Sequence, residues 1–222
     1  MKEFKIAHIA DIHYRGLQRH DEYRAAFEFF FARCKELDVD HIFVGGDVFH
    51  TKTQGISPEV IEELSWFFRT CGDTAQTSVI LGNHDLNLTN LNRKNILTPI
   101  IDAINHPRVT LYRDSGVYPI EKGINLCVFS CFDEHKWPLV APVTGAVNIA
   151  AFHGSVNGSE TDSGWALNGD VDVAFFDNYD FVLLGDIHQQ QFLSCRWSTK
   201  EIDEESLQSY LDTGWEIVNE DV

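Results

Sequence analysis

Five short segments of the chain hold residues of the types that bind metal ions. They are Asp11-Ile12-His13, Gly46-Asp47, Gly82-Asn83-His84-Asp85, His153, and Gly185-Asp186-Ile187-His188. The donors are carboxylate and amide oxygens with imidazole nitrogens, and no thiolate stands among them. Such a set favours Mn²⁺, Fe²⁺ or Zn²⁺ over Ca²⁺ or a structural zinc. A pair of ions roughly 3.5–4 Å apart needs a bridging carboxylate. Asp47 is the natural bridge, because a carboxylate has two oxygens and the glycines beside it allow close approach. Asp11 and His13 are alternate residues, so on an extended backbone they share a face and can grip one ion together. Any one of these residues alone is more often structural: Asp11 suits a turn, and Asn83 an Asx-turn. Their recurrence in one order, each after an apolar run, is what points to a metal centre.

Those apolar runs are the elements that must position the site. Phe4 to Ala10, His41 to Val44 and Ser78 to Leu81 read as buried strands that end at Asp11, Gly45-Gly46-Asp47 and Gly82-Asn83. A helix is expected over residues 21–37, with Asp21 as N-cap and Ala25, Ala26, Phe29, Phe30, Cys34 and Leu37 as its apolar stripe. Ser57-Pro58 opens another, with Val60, Ile61, Leu64, Phe67 and Phe68 facing inward. After about residue 107 short apolar runs follow one another at 109–112, 117–120, 124–129, 147–152 and 181–184. Strand ends on one edge of a sheet converge, so ligands scattered in sequence can meet. The order predicts an α/β fold, a sandwich of two mixed β-sheets flanked by helices. Residues 1–192 form the domain, and 193–222 an acidic tail with two basic and eight acidic residues, where 201–211 could be one short helix.

The totals narrow the class. A chain of 222 residues supports one sizeable core. No stretch approaches the roughly 20 apolar residues of a membrane span. Met1 to Ile6 runs straight into a strand without the apolar run of a signal peptide, so a cytoplasmic location is expected. Five cysteines, at 34, 71, 127, 131 and 195, form no CxxC pair, so neither a disulfide framework nor a cysteine zinc site is expected. Cys127 and Cys131 read as buried structural thiols. The net charge of -17 sits awkwardly with a nucleic-acid substrate, whose phosphates it repels.

DxH, GD, GNHD, a later lone histidine and a terminal GxxH together resemble the calcineurin-like metallophosphoesterases. The resemblance spans residues 6–191, and GNHD is its most specific element. Gly45 to His50 and Asp180 to Gln191 are similar to one branch, the DNA repair nucleases of the SbcD type, which also includes phage recombination endonucleases. The resemblance implies that Asp11, His13, Asp47 and His188 hold one ion, and Asp47, Asn83, His153 and Asp186 the other. It implies that His84 is no ligand but protonates the leaving oxygen, and that His50 helps to position the phosphate. It further implies two divalent ions, Mn²⁺ first, with Fe²⁺, Zn²⁺ or Mg²⁺ as alternatives. The partners implied are DNA, an SbcC-type ATPase subunit and a second copy in a homodimer, in a bacterial or phage-infected cell. Two departures stand out. The family's last motif usually reads Gly-His-x-His, where this chain has Gly-Asp-Ile-His. The family also continues into a DNA-contacting cap and partner-binding region, where this sequence has the acidic tail.

The leading expectation is therefore a Mn-dependent DNA exo- and endonuclease. One alternative is a phosphatase or cyclic-nucleotide phosphodiesterase. Another is a catalytically weak, partner-binding version of the nuclease. No Ser-His-Asp or Cys-His arrangement asks for a protein nucleophile.

Overall fold

The computed structural model describes residues 3–15, 19–50, 57–85, 95–160 and 164–188. The apolar runs form eight strands: β1 (Ile6–Ile9), β2 (His41–Val44), β3 (Gln76–Ile80), β4 (Val109–Tyr112), β5 (Gly116–Glu121), β6 (Ile124–Phe129), β7 (Val147–His153) and β8 (Phe181–Gly185). They assemble into two four-stranded sheets, ordered β1-β2-β3-β4 and β5-β6-β7-β8. The expected two-sheet α/β architecture is thus present. Its first sheet is wholly parallel. In the second, β5 and β6 pair antiparallel and the remaining pairs are parallel.

Parallel neighbours need crossover connections. In the first sheet these are α1 (His20–Glu36), α2 (Pro58–Thr74) and α3 (Leu97–Ile104). Helix α2 starts as its sequence dictates: Ser57 Oγ accepts from the Val60 amide at 3.4 Å, and Pro58 follows. Helix α1 differs from expectation at both its start and its face. It begins behind Arg19, which takes a left-handed conformation, and Asp21 lies inside the first turn. Its buried residues are Phe27, Phe31 and Cys34, whereas Phe29 is exposed. The run Phe-Glu-Phe-Phe-Phe offers two helical stripes, and contact with α2 selects one. Phe67 receives the rings of Phe27 and Phe31 at 4.5 and 5.7 Å. Sequence patterning gave no sign of α3. Asn95 Oδ1 accepts from the Thr98 amide at 2.7 Å and so satisfies one of its first-turn donors.

The chain divides into two compact units, Met1–Gly154 with Tyr179–Asp186, and Ser155–Asn178 with the residues from Ile187 on. The first holds all eight strands. Within it, Phe43, Ile80, Leu126, Val128, Ile149 and Ala151 pack between the sheets. Ile42, Val44 and Val79 pack with the helices on the other face of the first sheet. In the second unit Val156 pairs with Val171, and Ser155 Oγ donates to Asp170 at 2.9 Å. Cys34, Cys71 and Cys127 are buried free thiols, and Cys131 is a partly buried one. Among the described residues no helix is long and apolar enough to cross a membrane. The expected acidic tail at 193–222, with its short helix and Cys195, lies outside the described residues, as do Gln189 to Gln191.

One buried titratable group makes the fold acid-sensitive. His41 is 1% exposed between the sheets and meets Ser78 Oγ at 2.9 Å. Burial lowers its pKa from 6.5 to about 4. The folded chain therefore binds fewer protons than the unfolded chain in this window. The stabilisation is complete above pH 6.5 and is lost as the pH falls toward 4. The full loss is about 3 kcal/mol. Denaturant unfolding at pH 7 and pH 4.5 should show His41→Gln losing less stability between the two than the wild type. Equal losses would count against this origin.

Candidate metal centre

The segment after β1 runs beside the segment after β2. The amides of Asp11, His13 and Tyr14 donate to the carbonyls of Gly46, Asp47 and Val48 at 3.1, 2.9 and 2.8 Å. The His50 amide returns to the Tyr14 carbonyl at 3.2 Å. These bonds bend the backbone. Asp11, His13, Asp47 and Asp186 have φ of 53, 48, 50 and 81°. They are four of the seven non-glycine residues with positive φ among those described. Each such residue costs roughly 1–2 kcal/mol, and such strain gathers at functional sites. Asp11 and His13 therefore do not share a face of an extended strand, as the sequence suggested. They still offer ligand atoms within 4.8 Å of each other. The Tyr23 hydroxyl donates to the His13 carbonyl at 2.9 Å and pins the turn.

Asp47 is 1% exposed. Its Oδ1 accepts from the His84 amide at 2.7 Å and lies 3.3 Å from His153 Nε2. Its Oδ2 lies 3.8 Å from His13 Nε2. His153 ends β7, and its Nδ1 meets the Gly45 carbonyl at 2.7 Å. A carbonyl only accepts, so Nδ1 carries hydrogen and Nε2 is directed at Asp47. That Nε2 is buried and makes no hydrogen bond. Burial works against the His153 charge, but the Asp47 carboxylate, then Asp11 and the Gly45 carbonyl, raise its pKa to about 9. Burial likewise opposes ionisation of Asp47, and His153 together with the His84 amide outweighs it, so its pKa falls below the usual value. Two glycines from other strand ends permit this packing. A Cβ at Gly82 would strike Asp47, and one at Gly185 would strike the Gly45 carbonyl.

The GNHD turn after β3 presents its members differently. Asn83 Nδ2 donates to Asp186 Oδ1 at 2.8 Å. The Asp186 amide in turn donates to both oxygens of Asp11 at 2.9 and 3.0 Å. His84 Nδ1 donates to the His50 carbonyl at 2.7 Å, which leaves Nε2 as its outward nitrogen. The ring of His13 meets those of His50 and His84 edge-on, at 5.7 and 4.8 Å. Asp85 is the member whose role the sequence did not reveal. It is buried, and its oxygens accept from the amides of Phe49 at 3.1 Å and Gly82 at 3.0 Å. Burial, aided by the Asp47 charge, raises its pKa to about 7 against the pull of those amides. Its signal in the sequence was only its place at the end of a turn, where an aspartate often bonds backbone amides.

The donor set fits divalent ions. His13, Asp47 and His84 each offer a ligand atom within 4.8 Å of the others, and so do Asp11, Asp47 and His153. Asp47 belongs to both groups. His153 Nε2, 3.3 Å from Asp47 Oδ1, is placed to give up its proton to a cation held with that carboxylate. Asp186 belongs to neither of these groups. His188 follows the boundary at Asp186 and falls in the second unit.

The model of the family described as "Calcineurin-like phosphoesterase" matches residues 4–190. The chain belongs to the calcineurin-like phosphoesterase family. Members of this family are metal-dependent hydrolases of phosphate esters. The uncharacterized protein R555 of Acanthamoeba polyphaga mimivirus is 36% identical over 205 residues, 85% of this phosphoesterase chain. The chain spans only 15% of that protein's length. The Pseudomonas putida nuclease MPE is similar at 15% identity and a TM-score of 0.36, over 73% of this chain and 66% of its own. A likeness of that degree does not bear on function.

Asp85 ties the GNHD turn to the loop that carries His50. Asp85→Ala leaves two backbone donors without their acceptor, at roughly 1–3 kcal/mol each. Denaturant titration should show a loss of about 2–5 kcal/mol, with Asp85→Asn, which keeps one acceptor, between the two. A change within 0.5 kcal/mol, an ordinary surface effect, would refute the role.

Proposed function

We propose that this phosphoesterase hydrolyses phosphodiesters with two divalent ions, and that its substrate is DNA. The observation that carries the two-ion reading is Asp47, whose Oδ2 lies 3.8 Å from His13 Nε2 and whose Oδ1 lies 3.3 Å from His153 Nε2. In this reading Asp11, His13 and Asp47 hold one ion, and Asp47, Asn83 and His153 the other. Bound there, two ions activate a water and offset charge on the phosphoryl oxygens. The oxygen and imidazole donors suit Mn²⁺, Fe²⁺ or Zn²⁺, and the family resemblance puts Mn²⁺ first.

The chain's own residues do the remaining work. His84 delivers a proton to the leaving oxygen from Nε2, because its Nδ1 is held by the His50 carbonyl at 2.7 Å. That bond fixes the ring's direction. The side chain of His50 stands beside the His13 ring and positions the phosphate.

DNA as substrate is supported by the SbcD-like stretches 45–50 and 180–191. A Mn-dependent exo- and endonuclease of repair or recombination follows from them, working in the cytoplasm. An SbcC-type ATPase partner would hold the DNA that a chain of net charge -17 does not attract. The same charge favours a second reading, a phosphatase or cyclic-nucleotide phosphodiesterase acting on small substrates. Rates on linear DNA and on bis-nitrophenyl phosphate, both with Mn²⁺, separate the two. Hydrolysis of the small diester without any cleavage of DNA would overturn the nuclease reading.

Two substitutions test the site itself. Asp47→Ala should abolish activity and leave bound metal well below two ions per chain, because losing the shared carboxylate weakens both positions. Metal analysis after dialysis reads this, and two tightly held ions in the variant would refute the shared role. His84→Ala should keep its metal and lose roughly 10²–10⁴-fold in rate on DNA. On a nitrophenyl ester, whose leaving group needs no proton, the loss should be smaller. Equal losses on both substrates would exclude proton delivery.

A further inference from the structure

The residue at 186 is where this chain departs from its family's usual histidine, and its side chain is engaged by a neighbouring amide. The side chain of an amide such as Asn83 can be turned either way, with oxygen or nitrogen toward an ion. A carboxylate beside it removes that freedom, because a carboxylate only accepts. Asp186 Oδ1 receives Asn83 Nδ2 at 2.8 Å. The Asn83 oxygen is thereby left as the amide's donor to a cation.

Three further observations agree. First, Asp186 is in neither group of His, Asp and Glu ligand atoms that gather around Asp47. Second, its Oδ1 stands 3.8 Å from His153 Nε2, beyond hydrogen-bond distance, so Asn83 is its close partner. Third, its backbone is turned to φ 81°, a conformation that suits glycine better than aspartate. That turn directs its amide at both oxygens of Asp11, at 2.9 and 3.0 Å. One residue at the end of β8 thus holds Asp11 through its backbone and Asn83 through its side chain.

We propose that Asp186 is a positioning residue, which orients the Asn83 amide and the Asp11 carboxylate toward the ions and does not itself ligate. This rests on the two-ion reading above. Residues that orient metal ligands typically contribute roughly 10–100-fold in metal affinity.

Equilibrium dialysis with Mn²⁺, together with electron paramagnetic resonance for the spin-coupled pair, tests it on the full chain. Asp186→Asn keeps an oxygen that can accept from Asn83, although an amide oxygen is a poor substitute for a carboxylate ligand. Asp186→Leu keeps the bulk and offers no acceptor. The expected result is that Asp186→Asn retains two ions with affinity within a few fold of wild type. Asp186→Leu should lose roughly 10–100-fold for one ion, along with the coupled signal. In an Asn83→Ala background, adding Asp186→Leu should lower that ion's affinity little further, because the two act through one group. A two-ion wild type in which Asp186→Asn falls as far as Asp186→Leu would overturn the positioning role alone. So would a full further loss from Asp186→Leu in the Asn83→Ala background. A wild type that takes up fewer than two ions would overturn the two-ion reading, and the role with it.

Discussion

A carboxylate that is 1% exposed must be compensated, and the compensation of Asp47 organises the rest of the first unit. An uncompensated buried ion costs on the order of several kcal/mol. Here the His84 amide, which follows β3, supplies a hydrogen bond, and His153, which ends β7, supplies an imidazole. The second nitrogen of His153 goes back to Gly45 beside Asp47. The two sheets are therefore joined through one buried carboxylate and one buried ring. That arrangement needs glycine at 82 and at 185, because any side chain there would occupy the same space. The glycines of the GNHD and GDIH motifs are thus explained by packing around Asp47 and His153, not by turn geometry alone.

Much of this was legible in the sequence because short parallel strands buried on both faces, such as β2 and most of β7, read as apolar runs. All the strands anticipated from such runs are present, with ends shifted by a residue or two. The face of α1 was not legible. Four phenylalanines within five residues carry no unique stripe, and only the packing of Phe27 and Phe31 on Phe67 decides it. The start of α1 misled for a related reason: Asp21 has the right chemistry for a cap, yet the chain turns two residues earlier at Arg19. At the site, residue types and order singled out residues whose ligand atoms the fold brings within 4.8 Å of one another, but backbone conformation was hidden. The left-handed turns at Asp11 and His13 arise from hydrogen bonds to residues 46 and 47, more than thirty positions away.

The GNHD turn divides its work among its members more sharply than residue types alone suggest. Asn83 is tied at its nitrogen, His84 at its Nδ1, and Asp85 at both oxygens. Each side chain has one end fixed by a residue outside the turn. Among the described residues the free ends are the Asn83 oxygen and the His84 Nε2, the atoms that a ligand and a proton donor would use. Asp85 presents no free end, which explains why a buried carboxyl with a pKa near 7 can sit next to the site without acting in it.

The charge of the site bears on how a phosphate could enter at all. Asp11, Asp47 and Asp186 place three formal negative charges close together, and the protonated His153 offsets one, leaving a sum of -2 in the ion-free chain. Two divalent ions bring +4, and binding one to His153 requires that its proton leave. Over these three carboxylates and the two ions the formal sum then becomes 4 − 3, or +1, before any activated water or the neighbouring Asp85 is counted. In the two-ion reading the site thus repels a phosphodiester when empty of metal and draws it in when loaded. This local reversal does not depend on the acidic surface beyond it. It lets a chain with 34 acidic and 17 basic residues present a cationic centre to its substrate. The distant negative charges are screened within about 10 Å at ordinary salt. In the two-ion reading, substrate capture then depends on the metal centre and on whatever else holds the substrate's length against the acidic surface.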